Sequence, residues 1–195
     1  MSNAHRLFIP LMVAWTAFLG TVSPMAAETD QFFNPEIRLN EIPYRLVDTG
    51  VMYAKALFIK VTVCRLGYYA PTEAVEKGTQ KNALLIADEI PKIMQMHFQR
   101  KLDQKQLQQL FEGVFDSALQ KKKLAVPTAE INGFFALLQG VEKGDVLTLM
   151  RQPGGHLQIS FNGRNPGPFE GPALSQAIWG VLTNSTNPGL KPGVC

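Results

Sequence analysis

Residues 144–180 read GDVLTLMRQPGGHLQISFNGRNPGPFEGPALSQAIWG, and this stretch decides the fold class of the chain. Side chains alternate in character over 146–150 and again over 157–161, which is the period-2 pattern of β-strands. A Pro-Gly-Gly turn separates the two runs, and Asn162-Gly163 favours the positive φ angles of a tight hairpin. A third extended piece and a helical pattern follow. The stretch therefore predicts an antiparallel meander capped by a helix.

The remainder of the chain extends the same pattern upstream. One or two short strands are predicted within 37–48, a long strand over 56–69 and another over 92–99. Asp103 is a suitable N-cap for a helix with an apolar stripe, which consists of Leu107, Leu110, Phe111, Val114, Ala118 and Leu119. Pro127 opens a second helix. Helices grouped between strand blocks predict an α+β domain, with a mainly antiparallel sheet and helices packed on one face.

The first 27 residues have the layout of a secretory signal peptide. Arg6 precedes an apolar run over 7–22, and small residues end at Ala27, immediately before the acidic Glu28. We expect cleavage after Ala27, a mature domain of residues 28–195, a periplasmic or secreted location, and contact with the membrane only during export. The alternative is an uncleaved anchor, but the run is shorter than the roughly 20 residues that span a bilayer and Pro10 interrupts it.

Composition excludes several classes of protein. With 46% hydrophobic and 18% charged residues, the 195-residue chain is typical of a globular protein with one main domain. A formal net charge of +3 is too small to suggest nucleic-acid binding. The one basic run, 121–123, lies where a helix is predicted to end, where cations are favoured.

No motif identifies a metal, a cofactor or a catalytic triad. The three histidines, His5, His97 and His156, have no partners at metal-ligand spacing, so no metal site is predicted. The glycines around 163–171 do not have the dinucleotide-binding pattern, and no cofactor is expected. Cys64 and Cys195 can pair in an oxidising compartment, but the Val-rich strand around Cys64 favours a buried free thiol.

Several words of the sequence, in this order, resemble the chalcone isomerase-like family. ALFIKVTVCRLGYYAP is similar to the family's central strand, IPKIMQMHFQRKLDQKQLQQLFEGVF to its strand-then-helix unit in bacterial members, and GDVL, FNG and IWG to its C-terminal half. The resemblance covers roughly residues 43–189. It implies the family's open-faced β-sandwich.

The resemblance also implies where catalytic residues should stand. In the plant isomerases an Arg ahead of the central strand, a Thr within it, and a Tyr, a Lys and an Asn on the next helix hold the flavonoid and a water. Here Thr62 matches the threonine, residues 50–53 (GVMY) offer only the Tyr53 hydroxyl where the arginine should be, and apolar residues occupy the helix positions. Without a cation to stabilise the developing negative charge, catalysis is disfavoured.

Three functional hypotheses follow. The first is an exported, non-catalytic protein that binds a small apolar ligand between sheet and helices; the expected lining is Met94, Met96, Phe98, Leu107 and Phe111. The second is an envelope accessory or interaction protein in which that space is filled. The third is an intramolecular lyase or isomerase of the chalcone isomerase type, with Thr62 and Tyr53 as catalytic hydroxyls.

Overall fold

The computed structural model describes residues 32–56 and 59–183. Seven strands are present: β1 (Glu36–Leu39), β2 (Ile42–Ala56), β3 (Ile59–Pro71), β4 (Lys92–Phe98), β5 (Val146–Arg151), β6 (His156–Phe161) and β7 (Arg164–Glu170). Five helices accompany them: α1 (Thr72–Glu76), α2 (Lys81–Ile86), α3 (Gln104–Lys122), α4 (Thr128–Leu137) and α5 (Pro172–Leu182). The predicted signal peptide lies outside the described residues.

The strands form one antiparallel meander in which each pairs with the next, in the order β1 to β7. The predicted α+β class with a mainly antiparallel sheet is therefore confirmed. The short strands predicted within 37–48 end too early, because β2 continues from Asp48 to Ala56 and pairs with β3. Ala56, which was predicted to begin the next strand, is the last residue of β2. The second half of β2, TGVMYAKA, contains Gly and Ala, which have low strand propensity, so partner pairing rather than local preference makes it a strand.

The strand β7 forms one edge of this sheet. It carries Pro166 and Pro168, and Gly167 between them has a φ of 135°. Proline has no N–H to donate and is confined in sheets to edges and bulges. The edge therefore presents an interrupted row of hydrogen-bonding groups.

One face of the sheet, the helix face, carries the main hydrophobic core. Residues of β2–β6 pack there against helices α2 to α5. The capping box of α3 is complete: the Asp103 carboxylate accepts a hydrogen bond from the Gln106 N–H (2.8 Å) and the Gln106 side chain accepts one from the Asp103 N–H (3.0 Å). The predicted apolar stripe of α3 is buried except at Leu119, which is 54% exposed. The inclusion of Leu119 in the stripe was therefore wrong.

On the opposite side of the sheet, the open face, none of the helices within residues 32–56 and 59–183 lies over the centre of β4–β6. A small cluster of Tyr44, Tyr69, Ile93 and Met150 packs there against side chains of β1. Phe33 lies over Gly67, where a Cβ would come within 2.5 Å of the Phe33 ring. The residue has to be glycine because the aromatic ring occupies the place of a side chain.

Candidate functional site

The five residues predicted to line a ligand cleft are brought together by the fold. Met94, Met96 and Phe98 point from β4 to the helix face, where they meet Leu107 and Phe111 of α3. Each of the five side chains is fully buried. Phe111 also stacks edge-on against Phe134 of α4, with ring centroids 4.9 Å apart. The three described pockets are lined by other residues, and a ligand role for this set stays a prediction.

Tyr53 and Thr62, the two predicted catalytic hydroxyls, are direct cross-strand partners on β2 and β3. Both are partly buried. Their neighbours Met52, Ala54 and Val63 belong to the helix-face core. Because successive strand residues point to opposite faces, Tyr53 and Thr62 face the open side. The fold thus brings the two hydroxyls together but separates them from the apolar set.

Arg65 is the next residue of β3 after Thr62 that points to the open face, because the pairing register shifts between Met52 and Tyr53. Its guanidinium carbon lies 4.3 Å from the centroid of the Phe32 ring, a cation–π contact. Its Nε atom is buried and has no hydrogen-bond partner among the residues that the structure describes. Arg65 was not singled out in the sequence, because the irregularity that places it on the same face as Thr62 is visible only in the strand pairing.

A pocket of about 350 Å³ opens at the end of the helix face, where β5 finishes. We call it the Arg151 pocket; its lining consists of Leu85, Ile86, Asp88, Leu124, Arg151, Gln176, Trp179 and Gly180. Most of the wall is apolar, supplied by α2, by α5 and by Leu124, two residues beyond the end of α3. A second pocket of about 330 Å³ shares Asp88, Arg151 and Gln176 with it. The guanidinium therefore lies between two adjoining spaces.

Arg151 is the principal charge in this pocket, and its side chain is only 6% exposed. Its Nε donates a hydrogen bond to Ser175 Oγ of α5 at 2.9 Å, and its Nη1 lies 2.7 Å from the Asp88 carboxylate. Asp88, in contrast, is 63% exposed. A fixed buried cation therefore has an exposed counterion, which an incoming anion can replace at small desolvation cost.

Lys92 is the direct cross-strand partner of Arg151 and is completely buried. Its Nζ donates to the carbonyl oxygens of Leu85, at 2.9 Å, and Ala87, which end α2. Burial, and to a smaller extent the Arg151 guanidinium, lowers the pKa of Lys92 to about 8, with the acidic Asp88 and Glu89 opposing the shift. The two hydrogen bonds from Lys92 hold the C-terminal end of α2, and α2 forms one wall of the pocket.

Trp179 closes the pocket from α5 and is 3% exposed. Its indole Nε1 is buried and has no hydrogen-bond partner within the described part of the chain. An indole N–H usually finds a partner when it is buried. The Trp179 ring thus contributes apolar surface to the pocket, while its N–H group is enclosed by protein.

Metal and thiol chemistry find little support in residues 32–56 and 59–183. No group of three or more potential ligands converges there. Burial raises the pKa of the Cys64 thiol, which makes it unreactive. Cys64 is a free buried cysteine, and Cys195 lies outside the described residues. None of the five described helices combines the length and apolar character that crossing a bilayer requires.

Comparison with known proteins identifies the family. The chalcone isomerase-like family model matches residues 28–186, most of the chain, so the chain belongs to the chalcone isomerase-like family. Among solved structures, an Arabidopsis thaliana fatty-acid binding protein is similar in fold, with a TM-score of 0.66 and 18% identity. The likeness covers 80% of this chain and 86% of that one. No curated protein matches the chain in sequence.

The Arg151 pocket was not predicted from the sequence. Asp88 and Arg151 are 63 residues apart, and Ser175 lies a further 24 along the chain. One signal was present, since Arg151 ends a strand that is otherwise apolar on its helix-face positions. A charged residue in such a row is expected to have a buried partner, but the row does not identify which residue that partner is.

Proposed function

We propose that this protein is an exported, non-catalytic binding protein for a small apolar ligand that carries an acidic head group. The Arg151 pocket is the binding site. The observation that carries the proposal is a 6% exposed guanidinium placed among apolar side chains and paired with an exposed carboxylate. The apolar part of the ligand contacts Leu85, Leu124 and Trp179, and its anion takes the place of Asp88.

The chemistry of the pocket supports this class of ligand. Ligand sites are mostly apolar, with a few polar groups that fix orientation. The Arg151 guanidinium is a cationic donor, so an anionic acceptor such as a carboxylate complements it better than an alcohol or an amine. The similar Arabidopsis protein is a fatty-acid binding protein. That likeness is one of fold, and it makes a monocarboxylic acid the first ligand to test here.

We propose that the protein is not a catalyst because of the surroundings of Tyr53 and Thr62. Both are neutral hydroxyls, and both face away from the helix-face core. The next open-face residue of β3, Arg65, has its guanidinium in a cation–π contact with Phe32, and neutral hydroxyls alone do little to stabilise an enolate in comparison with preorganised cations. Export is supported by the arrangement of residues 1–27, which resembles a signal peptide. A mature mass beginning at Glu28, measured on protein from the periplasm or the medium, is the test of export.

Fluorescence of Trp179 tests binding directly. The chain has two tryptophans, so in a Trp15→Phe variant Trp179 is the only one. We expect dodecanoate to change its emission saturably and to bind about tenfold more tightly than dodecan-1-ol, because the alcohol cannot form the charge-assisted bond. Equal binding of the two probes contradicts the acidic head group. Binding of neither favours the alternative of an envelope accessory or interaction protein.

A matched pair of surface variants locates the ligand. Ile86 lines the pocket and is 59% exposed, whereas Ile42 is 47% exposed and lies on β2, away from it. Ile86→Glu removes apolar wall and adds a like charge, so we expect dodecanoate to bind about tenfold more weakly or worse. Ile42→Glu should bind as the parent does. Equal effects of the two variants contradict the assignment to this pocket.

A further inference from the structure

The open face of the sheet carries a second, larger depression with a volume of about 510 Å³. We call it the open-face groove. Its floor consists of side chains from β4, β5 and β6, and its walls come from residues 32–39 and from the turn at 162–165. It lies on the opposite side of the sheet from the Arg151 pocket. Its occupancy is therefore independent of the function proposed above.

The floor is organised in rows that cross the strands. Gln95, Thr148 and Ser160 are successive cross-strand partners and form one polar row. The next row contains Ile93, Met150 and Gln158, again as direct partners. Neighbouring strands lie roughly 4.8 Å apart, so hydrogen-bonding groups repeat at that interval across the groove. A flat ligand that lies across the strands meets a polar row beside a mostly apolar one.

The polar side chains of the floor have hydrogen-bonding capacity that the protein does not use. Gln95, Thr148, Gln158 and Ser160 are all partly buried. Within the described part of the chain, none of the four side chains hydrogen bonds to another protein group. Asn162 differs: its side chain donates to Asp145 and accepts from the Val146 N–H, which holds the hairpin turn. The floor side chains are thus partly buried and still have free donors and acceptors, as ligand-binding groups do.

The walls of the groove are apolar and partly aromatic. Ile37 and Leu39 of β1 line one side, and Phe32 lines the end beside His97. Phe33, which packs over Gly67, stacks edge-on with His97 at a centroid distance of 4.7 Å. An aromatic face and aliphatic side chains can contact the C–H surfaces of a ligand while the floor binds its polar edge.

The groove is nearly neutral. None of its lining residues is Asp or Glu, and its one fixed cation, Arg38, is an exposed residue of β1. An anionic or cationic ligand would find little charge to complement its own. The lining instead consists of amides and hydroxyls, which both donate and accept hydrogen bonds. Sugar hydroxyl groups have the same dual character.

We propose that the open-face groove binds a neutral oligosaccharide. The side chains of Gln95, Thr148, Ser160 and Gln158 hydrogen bond to its hydroxyl groups, and the apolar walls pack against its C–H faces. An extended peptide is less well suited, because peptide strands bind to free backbone groups at a sheet edge. The floor strands β4, β5 and β6 are each paired on both sides, so their backbone groups are already used.

Titration with defined sugars tests the proposal on the full chain. The probes are cellotetraose, maltotetraose and chitotetraose, with binding measured by calorimetry or by NMR. We expect at least one to bind below about 10 mM, the weak range for a shallow neutral site. In Thr148→Val with Ser160→Ala, two hydroxyls are removed at nearly constant shape, and affinity should fall about tenfold. The melting temperature should stay close to that of the parent.

A control pair and a competitor complete the test. Ser117→Ala with Thr128→Val removes two hydroxyls from α3 and α4, and this variant should bind sugar as the parent does. Dodecanoate should not compete with the sugar, because the Arg151 pocket lies on the other face. The proposal is overturned if no probe binds, if the control loses as much affinity as the groove variant, or if a neutral Ser-Gly peptide binds and the sugars do not.

Discussion

The two faces of the same sheet use their side chains in different ways. On β4 the helix-face residues Met94, Met96 and Phe98 are fully buried among apolar neighbours, while Gln95 and His97 between them are recessed but polar. The helix face is packed with apolar side chains. The open face retains hydrogen-bonding capacity. Stability and recognition can thus be assigned to alternate residues of one strand.

Adjacent residues of β4 allow the sharpest test of this difference. Met96→Lys places an unpaired charge in the core, and we expect it to unfold the domain, since its cost is comparable to a typical total stability of about 5–15 kcal/mol. Gln95→Lys, one residue away, should remain folded. Circular dichroism and urea unfolding provide the measurement. If both variants unfold, or neither does, the two faces do not differ as described.

A smaller effect is expected where the open face is closely packed. Gly67→Ala places a Cβ within 2.5 Å of the Phe33 ring, so the ring has to move, at a cost of about 1–3 kcal/mol in the free energy of unfolding. In a Phe33→Ala background the same change should cost much less, since the obstruction is gone. Urea unfolding of the four proteins in this cycle gives the coupling. Strictly additive losses would show that Phe33 does not lie over Gly67.

Lys92, on the helix face, makes the free energy of unfolding depend on pH. Its pKa is lowered from 10.5 to about 8 in the folded protein, so between these values the unfolded chain binds more protons. The free energy of unfolding should therefore rise with pH in that window, by at most about 1.4 kcal/mol per pH unit. Below pH 8 the Lys92 contribution is constant, because the lysine is protonated in both states.

The matched variant for this effect is Lys92→Met. It removes the titrating group, so the free energy of unfolding of the parent should rise relative to that of the variant from pH 8 to pH 9.5. Urea titrations at several pH values measure it. Parallel curves for the two proteins would mean that Lys92 is charged in the folded state throughout this range.

The smallest expected effect concerns the hydroxyls on the open face. We expect no acceleration of hydroxychalcone cyclisation above the spontaneous rate, and no change on Thr62→Val. Absorbance of the chalcone followed at catalytic protein concentration is the measurement. Acceleration that Thr62→Val abolishes would make Thr62 a catalytic donor, with Arg65 as the nearest candidate for the missing cation.

Much of the fold could be predicted because it depends on local patterns. The alternation around 146–161, the N-cap at Asp103 and the two faces of β4 all follow from spacing. The extent of β2 and the exposure of Leu119 could not be predicted from spacing, because both depend on which part of the protein packs against them. The Arg151 pocket and the open-face groove depend on pairings between distant residues. A single sequence contains no record of those pairings.

The sequential order of the seven strands in the described part of the chain has a consequence for how the chain folds. Each strand pairs with the one just before it, and β2 follows β1 and β3 follows β2 closely in sequence, whereas residues 99–145 separate β4 from β5; loop-closure costs are therefore smallest for the N-terminal pairings. The sheet can therefore grow from its N-terminal edge while the chain is being synthesised. The last described helix, α5, then completes the structure, since Tyr68 donates a hydrogen bond to the Leu182 carbonyl at 2.7 Å. Pulse-labelled hydrogen exchange should accordingly show the amides of β2 and β3 protected before those of α5.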